Sequence, residues 1–110
     1  MSTRRKYFVE WTATAEYDLN AILEFIAYDS PDQAMRILGK LQKHVFNLSI
    51  FPERDRVVLE LKDQGIILYR EMIISPWRVI YKISERTVYV LAVLDTRRNL
   101  EDILFDRFVG

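Results

Sequence analysis

Trp77-Arg78-Val79-Ile80-Tyr81-Lys82-Ile83, then Ser84-Glu85-Arg86-Thr87, then Val88-Tyr89-Val90-Leu91-Ala92-Val93-Leu94 is the stretch whose reading decides the fold. Its first part alternates. Trp77, Val79, Tyr81 and Ile83 fall on one side and Arg78, Ile80 and Lys82 on the other, the period of a strand with two different faces. The polar residues after Ile83 predict a turn, and the continuous apolar run behind them suits a central strand covered on both sides. Working backwards, Ile66 to Ile74 is rich in β-branched residues and is bounded by Gly65 and Ser75-Pro76, which predicts another strand.

The N-terminal half has a different period. Tyr7-Phe8-Val9-Glu10-Trp11 is aromatic and β-branched, so it predicts a short strand ending at Thr12. Leu19, Ile22, Leu23 and Ile26 then recur at helical spacing and predict a helix over Thr14 to Tyr28, with Glu16, Asp18, Asn20 and Glu24 on its opposite side. Ser30-Pro31-Asp32-Gln33 predicts a second start: Ser30 as cap, Pro31 at the first helical position, Asp32 at the positive helix end and Gln33 completing a capping box. Ala34, Ile37, Leu38, Leu41, Val45 and Leu48 continue one stripe to about Leu48, and Phe51-Pro52 closes the segment. The short link implies an antiparallel helical hairpin. Helical spacing returns at Leu100, Ile103 and Leu104. The order predicts an α+β fold over a single domain, 1–110, with an N-terminal strand, a helical hairpin on an antiparallel sheet, and a short C-terminal helix.

Composition narrows the function classes. With 110 residues, 50% of them hydrophobic, the chain can bury one core, and its lack of cysteine removes disulfides, thiolate metal sites and a cysteine nucleophile. No run approaches a membrane span, and Glu10, Glu16 and Asp18 interrupt any apolar region behind the basic Arg4-Arg5-Lys6, so a soluble, unprocessed, cytoplasmic protein is expected. The 16 Lys and Arg against 16 Asp and Glu give no global attraction to nucleic acid, so such a role would need a local basic cluster.

Few residues suggest chemistry. His44 is the single histidine and lies near the apolar stripe of the second helix, which points to a partly buried structural role rather than a metal site. Gly39, Gly65 and Gly110 are scattered and form no phosphate loop, so no nucleotide cofactor is indicated; Gly39, inside a helix, suggests close helix packing. Arg70 and Arg78 fall within strands, and Arg97 and Arg98 follow the last one. Converging on the sheet surface away from the helices, they would form a phosphate-binding cluster. The alternative is that each arginine pairs with a nearby carboxylate such as Glu60, Glu71 or Asp95. Tyr69, Trp77, Tyr81 and Tyr89 sit where large residues fill a core or an edge.

Taken in order, several segments resemble the RelE/ParE superfamily of type II toxin–antitoxin toxins. They are Ala15-Glu16-Tyr17-Asp18-Leu19 with Ile22 and Tyr28; Pro31 and Ala34; Leu48 with Phe51-Pro52; Glu60-Leu61; Tyr69-Arg70-Glu71; Trp77-Arg78-Val79-Ile80-Tyr81; and Val90 through Arg98. The resemblance implies a growth-inhibiting toxin neutralised by a cognate antitoxin, as a homodimer or a heterotetramer with that antitoxin. RelE-like members cleave mRNA on the ribosome without a metal, which needs a base, cations for the phosphorane charge and an acid. ParE-like members inhibit DNA gyrase. Carried over, the resemblance puts Arg78, Arg97 and Glu60 in the catalytic roles of a ribonuclease; Arg70, Arg78, Arg97 and Arg98 remain the candidate phosphate or partner contacts that the strand positions suggest.

Two departures favour the ParE-like side. Asp95 stands where many members have histidine, and Phe105 and Phe108 offer no acid after Arg98. The expectation is therefore a gyrase inhibitor without cofactor or metal, with Arg107 and Phe108 of the last helix as candidate partner contacts. The alternatives are a ribosome-dependent ribonuclease and a degenerate member that only binds antitoxin. On the nuclease alternative, Arg78→Ala would reduce activity with little loss of fold.

Overall fold

In the computed structural model, which describes residues 6–109, the alternating stretch lies in the middle of the sheet. Arg4, Arg5 and Gly110 lie outside the described residues. The elements are β1 (Phe8–Trp11), α1 (Ala13–Asp29), α2 (Pro31–Phe46) with a 3₁₀ turn at Asn47–Ser49, β2 (Arg56–Val57), α3 (Leu59–Lys62), β3 (Tyr69–Ile74), β4 (Trp77–Ser84), β5 (Thr87–Asp95) and α4 (Leu100–Phe108). The strand order is β1-β5-β4-β3-β2. β3, β4 and β5 pair antiparallel as expected, β2 adds an unexpected antiparallel edge strand beside β3, and β1 joins the edge of β5 in parallel. That direction follows from the hairpin: α1 carries the chain away and α2 returns it, so that the Ser49 carbonyl accepts from the Lys6 and Tyr7 amides at 3.0 and 2.9 Å, beside the start of β1.

Both helix starts are capped by side chains, with Thr12 Oγ1 accepting from the Ala15 amide and Ser30 Oγ from the Gln33 amide. The capping box at Ser30 is only half formed. The Ser30 amide donates to the Ile26 carbonyl at 2.9 Å and so closes α1, leaving it no proton for the Gln33 side chain. Gly39 is exposed, and a Cβ there would meet nothing within 4 Å, so close helix packing is not its role. His44 is likewise exposed rather than partly buried, since its ring faces outward with Nδ1 2.8 Å from the Lys40 carbonyl oxygen.

The sheet is covered on both faces. On one side Ala15, Leu19, Leu41 and Val45 of the hairpin pack against Trp77, Val79, Tyr81, Val88 and Val90. On the other, Leu61 of α3 and Leu100 and Leu104 of α4 pack with Ile80, Ala92 and Leu94. An irregularity keeps both layers filled: Ile80 pairs with Ala92 but Tyr81 with Val90, so Leu91 is an extra residue in β5 that shifts its alternation. Val88 and Val90 face the hairpin on one side of this bulge and Val93 on the other, which accounts for the unbroken apolar run. The face beyond the hairpin is therefore not an open surface around Arg78, because α3 and α4 close over that part of it.

Candidate functional site

The arginines do not converge. Cross-strand partners share a face, and Arg70 opposes Tyr81 while Ile73 opposes Arg78, so Arg70 lies on the hairpin side and Arg78 on the side of α3 and α4. Arg70 Nη1 donates to the carbonyls of Glu53 and Asp55, at 3.2 and 2.6 Å. It thereby pins the loop before β2, which Tyr81 also holds by donating its hydroxyl to the Pro52 carbonyl at 2.6 Å. Burial pushes the Tyr81 hydroxyl pKa far above its usual range.

Arg78 is buried and fully engaged with carboxylates. Its Nη1 and Nη2 donate to the two oxygens of Glu60 at 2.8 and 2.9 Å, a paired geometry that suits the planar guanidinium. Nε donates to Glu71 Oε1 at 2.8 Å, and Nη2 also bonds that oxygen. The other oxygen of Glu71 accepts from Arg56 Nε at 2.6 Å. Two arginines and two glutamates thus form a chain of zero net charge running from the surface at Arg56 to the interior. The bonds from Arg78 hold the Glu60 carboxyl down at about 2, against the opposing effect of burial, and the same pairing raises the Arg78 pKa.

Arg78 and Glu60 are therefore brought together, and Arg97 is not with them. Arg97 is exposed and closes on Asp95, with Nη2 to Oδ2 at 2.6 Å and Nε to Oδ1 at 2.9 Å. This pairing lowers the Asp95 pKa. Arg98 is exposed, and among the described residues its side chain makes no hydrogen bond or ion pair. Arg107 reaches from α4 around the sheet edge to Asp18 of α1, at 2.7 and 3.0 Å. Phe108 packs on the ring of Tyr69 with centroids 4.8 Å apart.

Asp18 was expected on the outer side of α1 but is buried. The same carboxylate accepts from the Val93 amide at 3.1 Å, satisfying the edge of β5 where β1 has ended. Its spacing to Ile22, one turn on along the buried stripe, was the available signal. Between α1, the end of β5 and α4 runs a groove of about 690 Å³ bordered by Tyr17, Phe25, Trp77, Arg98, Ile103 and Arg107, which the positions of the charged residues do not announce. The signal for it was the aromatic residues spaced along the polar side of α1. Among the described residues no cluster of His, Asp or Glu is arranged to hold a metal, and no helix is long and apolar enough to cross a membrane.

Comparison with known proteins adds three findings. No curated protein matches the sequence. A solved structure described as the chromosomal ParDE TA system from P. aeruginosa is similar in fold, with a TM-score of 0.67 at 15% identity, covering 84% of this chain and 98% of the other. The family model for the ParE toxin of type II toxin–antitoxin systems matches residues 9–100, from β1 to the first residue of α4. A match over so much of the chain, on a sheet and hairpin of the expected order, places this protein in the ParE toxin family of type II toxin–antitoxin systems.

Proposed function

We propose that this toxin acts by binding rather than by cutting RNA, that DNA gyrase is its target, and that a cognate antitoxin neutralises it. The observation that carries this reading is the state of Arg78. A ribonuclease needs a cation presented to the scissile phosphate, yet here the guanidinium is buried and donates to Glu60 and Glu71 together. Glu60, the base in the ribonuclease alternative, has its carboxyl held down at about 2 by the same contact, which makes it a weak proton acceptor. Arg97, the third residue of that set, faces Asp95 instead of the Arg78 pair. Membership of the ParE family supports the same direction, because gyrase inhibition is typical of it.

Controlled expression in a bacterial host tests the reading. Early loss of DNA supercoiling with induction of the damage response, while protein synthesis continues, is the expected result. Early arrest of synthesis with mRNA cut at codon positions would overturn it in favour of the ribosome-dependent ribonuclease. Growth without harm in the absence of antitoxin would point to a member that retains only antitoxin binding.

A further inference from the structure

The outer face of α2 concentrates positive charge. Arg36, Lys40 and Lys43 stand at i, i+4 and i+7, so they share one side of the helix within about 10 Å of its length, and all three are exposed. Arg56, Arg78, Arg97 and Arg107 each close on a carboxylate, whereas no ion pair among the described residues includes Arg36, Lys40 or Lys43. α2 itself has one acid, Asp32, in its first turn. Of the acids on α1, which are Glu16, Asp18, Glu24 and Asp29, only Asp18 is in an ion pair among the described residues, and its partner is Arg107.

Gly39 falls on the same side of α2, between Arg36 and Lys43. It is exposed, and a Cβ there would meet nothing within 4 Å, so packing does not require a glycine in the middle of this helix. What it supplies is bare backbone between two cations, where a ligand can come close.

A short row of unpaired cations with a gap in it suits a polyanion whose charges repeat along a line, as the phosphates of a nucleic acid do. An anionic membrane suits it less. A helix binds a lipid interface by burying its apolar face there, and the apolar face of α2, with Ala34, Leu41 and Val45, is already buried in the protein. Among nucleic acids duplex DNA offers the denser array, about one charge per 1.7 Å of its axis.

We propose that the outer face of α2 binds the phosphate backbone of duplex DNA through Arg36, Lys40 and Lys43, without reading its sequence. The phosphate-binding cluster expected on the sheet is thus supplied by a helix. This assignment depends on neither the gyrase nor the antitoxin reading.

Fluorescence anisotropy of a labelled duplex of about 20 base pairs, titrated with the purified protein over a range of salt concentrations, tests it. The logarithm of the association constant should fall against that of the salt concentration with a slope of about −3, because each neutralised phosphate contributes about −0.9. Each single replacement, Arg36→Gln, Lys40→Gln or Lys43→Gln, should reduce the steepness by about 1. The three together change exposed side chains to one of similar helix propensity, so the thermal midpoint should stay near that of the wild type while binding at low salt weakens at least about tenfold. Lys62→Gln removes an exposed cation of α3 and should change binding less than about twofold. Gly39→Leu adds bulk without altering charge and should weaken binding about threefold or more. Absence of binding by the wild type at low salt, or equal binding by the triple variant, would overturn the site. Unchanged binding by Gly39→Leu would overturn the close approach at that glycine. Tighter binding of single-stranded RNA than of the duplex, or capture by phosphatidylserine vesicles without duplex binding, would overturn the DNA assignment in favour of RNA or of a membrane.

Discussion

Glu71 has no exposed side-chain surface, and its charge is tolerated inside the sheet because Arg56 and Arg78 both donate to it. Removing one member of such a chain leaves an uncompensated buried charge, which typically costs about 3–5 kcal/mol. Arg78→Ala should therefore destabilise the protein by roughly that amount in urea denaturation, contrary to the little loss of fold expected from sequence. A loss below about 1 kcal/mol would show that the network contributes little. Glu60 adds a pH dependence whose sign follows from its carboxyl, lowered from 4.5 to about 2 in the fold. Its contribution is complete above pH 4.5 and is lost as pH falls toward 2. Urea midpoints of the wild type should fall more steeply across that window than those of Glu60→Gln, and parallel curves would contradict the assignment. The sequence offered the carboxylate partners of Arg78 as an alternative and set it on the face away from the hairpin, but it did not show that α3 and α4 close over that face. Alternation fixes only that Arg78 and Val79 point oppositely, and the layer that α3 and α4 add over Arg78 depends on contacts far along the chain.

The helices were legible because each carries several turns of periodic apolar residues and a start signal, as at Ser30-Pro31. β2 and α3 were not. A strand of two residues and a helix of four are too short to show a period, and they form because β3 pairs with Arg56–Val57 and the core takes up Val58 and Leu61. Gly65 ends α3 in the left-handed conformation at φ 81°, with the Ile66 amide bonding the Leu61 carbonyl and its own amide bonding the Lys62 carbonyl. The two glycines should respond oppositely to the same substitution. Gly39→Ala fills open space on an exposed helix and should raise stability by about 0.5–1 kcal/mol, while Gly65→Ala should lower it by about 1 kcal/mol. Thermal melts of the pair check this, and a destabilising Gly39→Ala would reveal a role for that position that the packing does not show. α4 is tied to the rest by Arg107 and by the Tyr69–Phe108 contact. Arg107→Ala should therefore speed amide exchange in α4 more than in β4, which lies between β3 and β5 in the sheet.

Across the whole molecule, the sequence carried the order of the longer elements and the hairpin, because each rests on a local period repeated over many residues. What it could not carry was the grouping of charges, since Asp18 meets Arg107 across 89 positions and Arg78 meets Glu60 across 18. Those pairings change the functional balance, because they use the cations that a phosphate-cleaving site would present. The proposed toxin works through its surfaces. Adding the purified protein to DNA gyrase and relaxed plasmid, and following supercoiling and cleaved DNA, tests this most directly. Inhibited supercoiling with accumulation of cleaved plasmid, reversed by the antitoxin, is the expected result. Undiminished supercoiling by gyrase, together with codon-positioned cleavage of mRNA when the same protein is added to translating ribosomes, would contradict it.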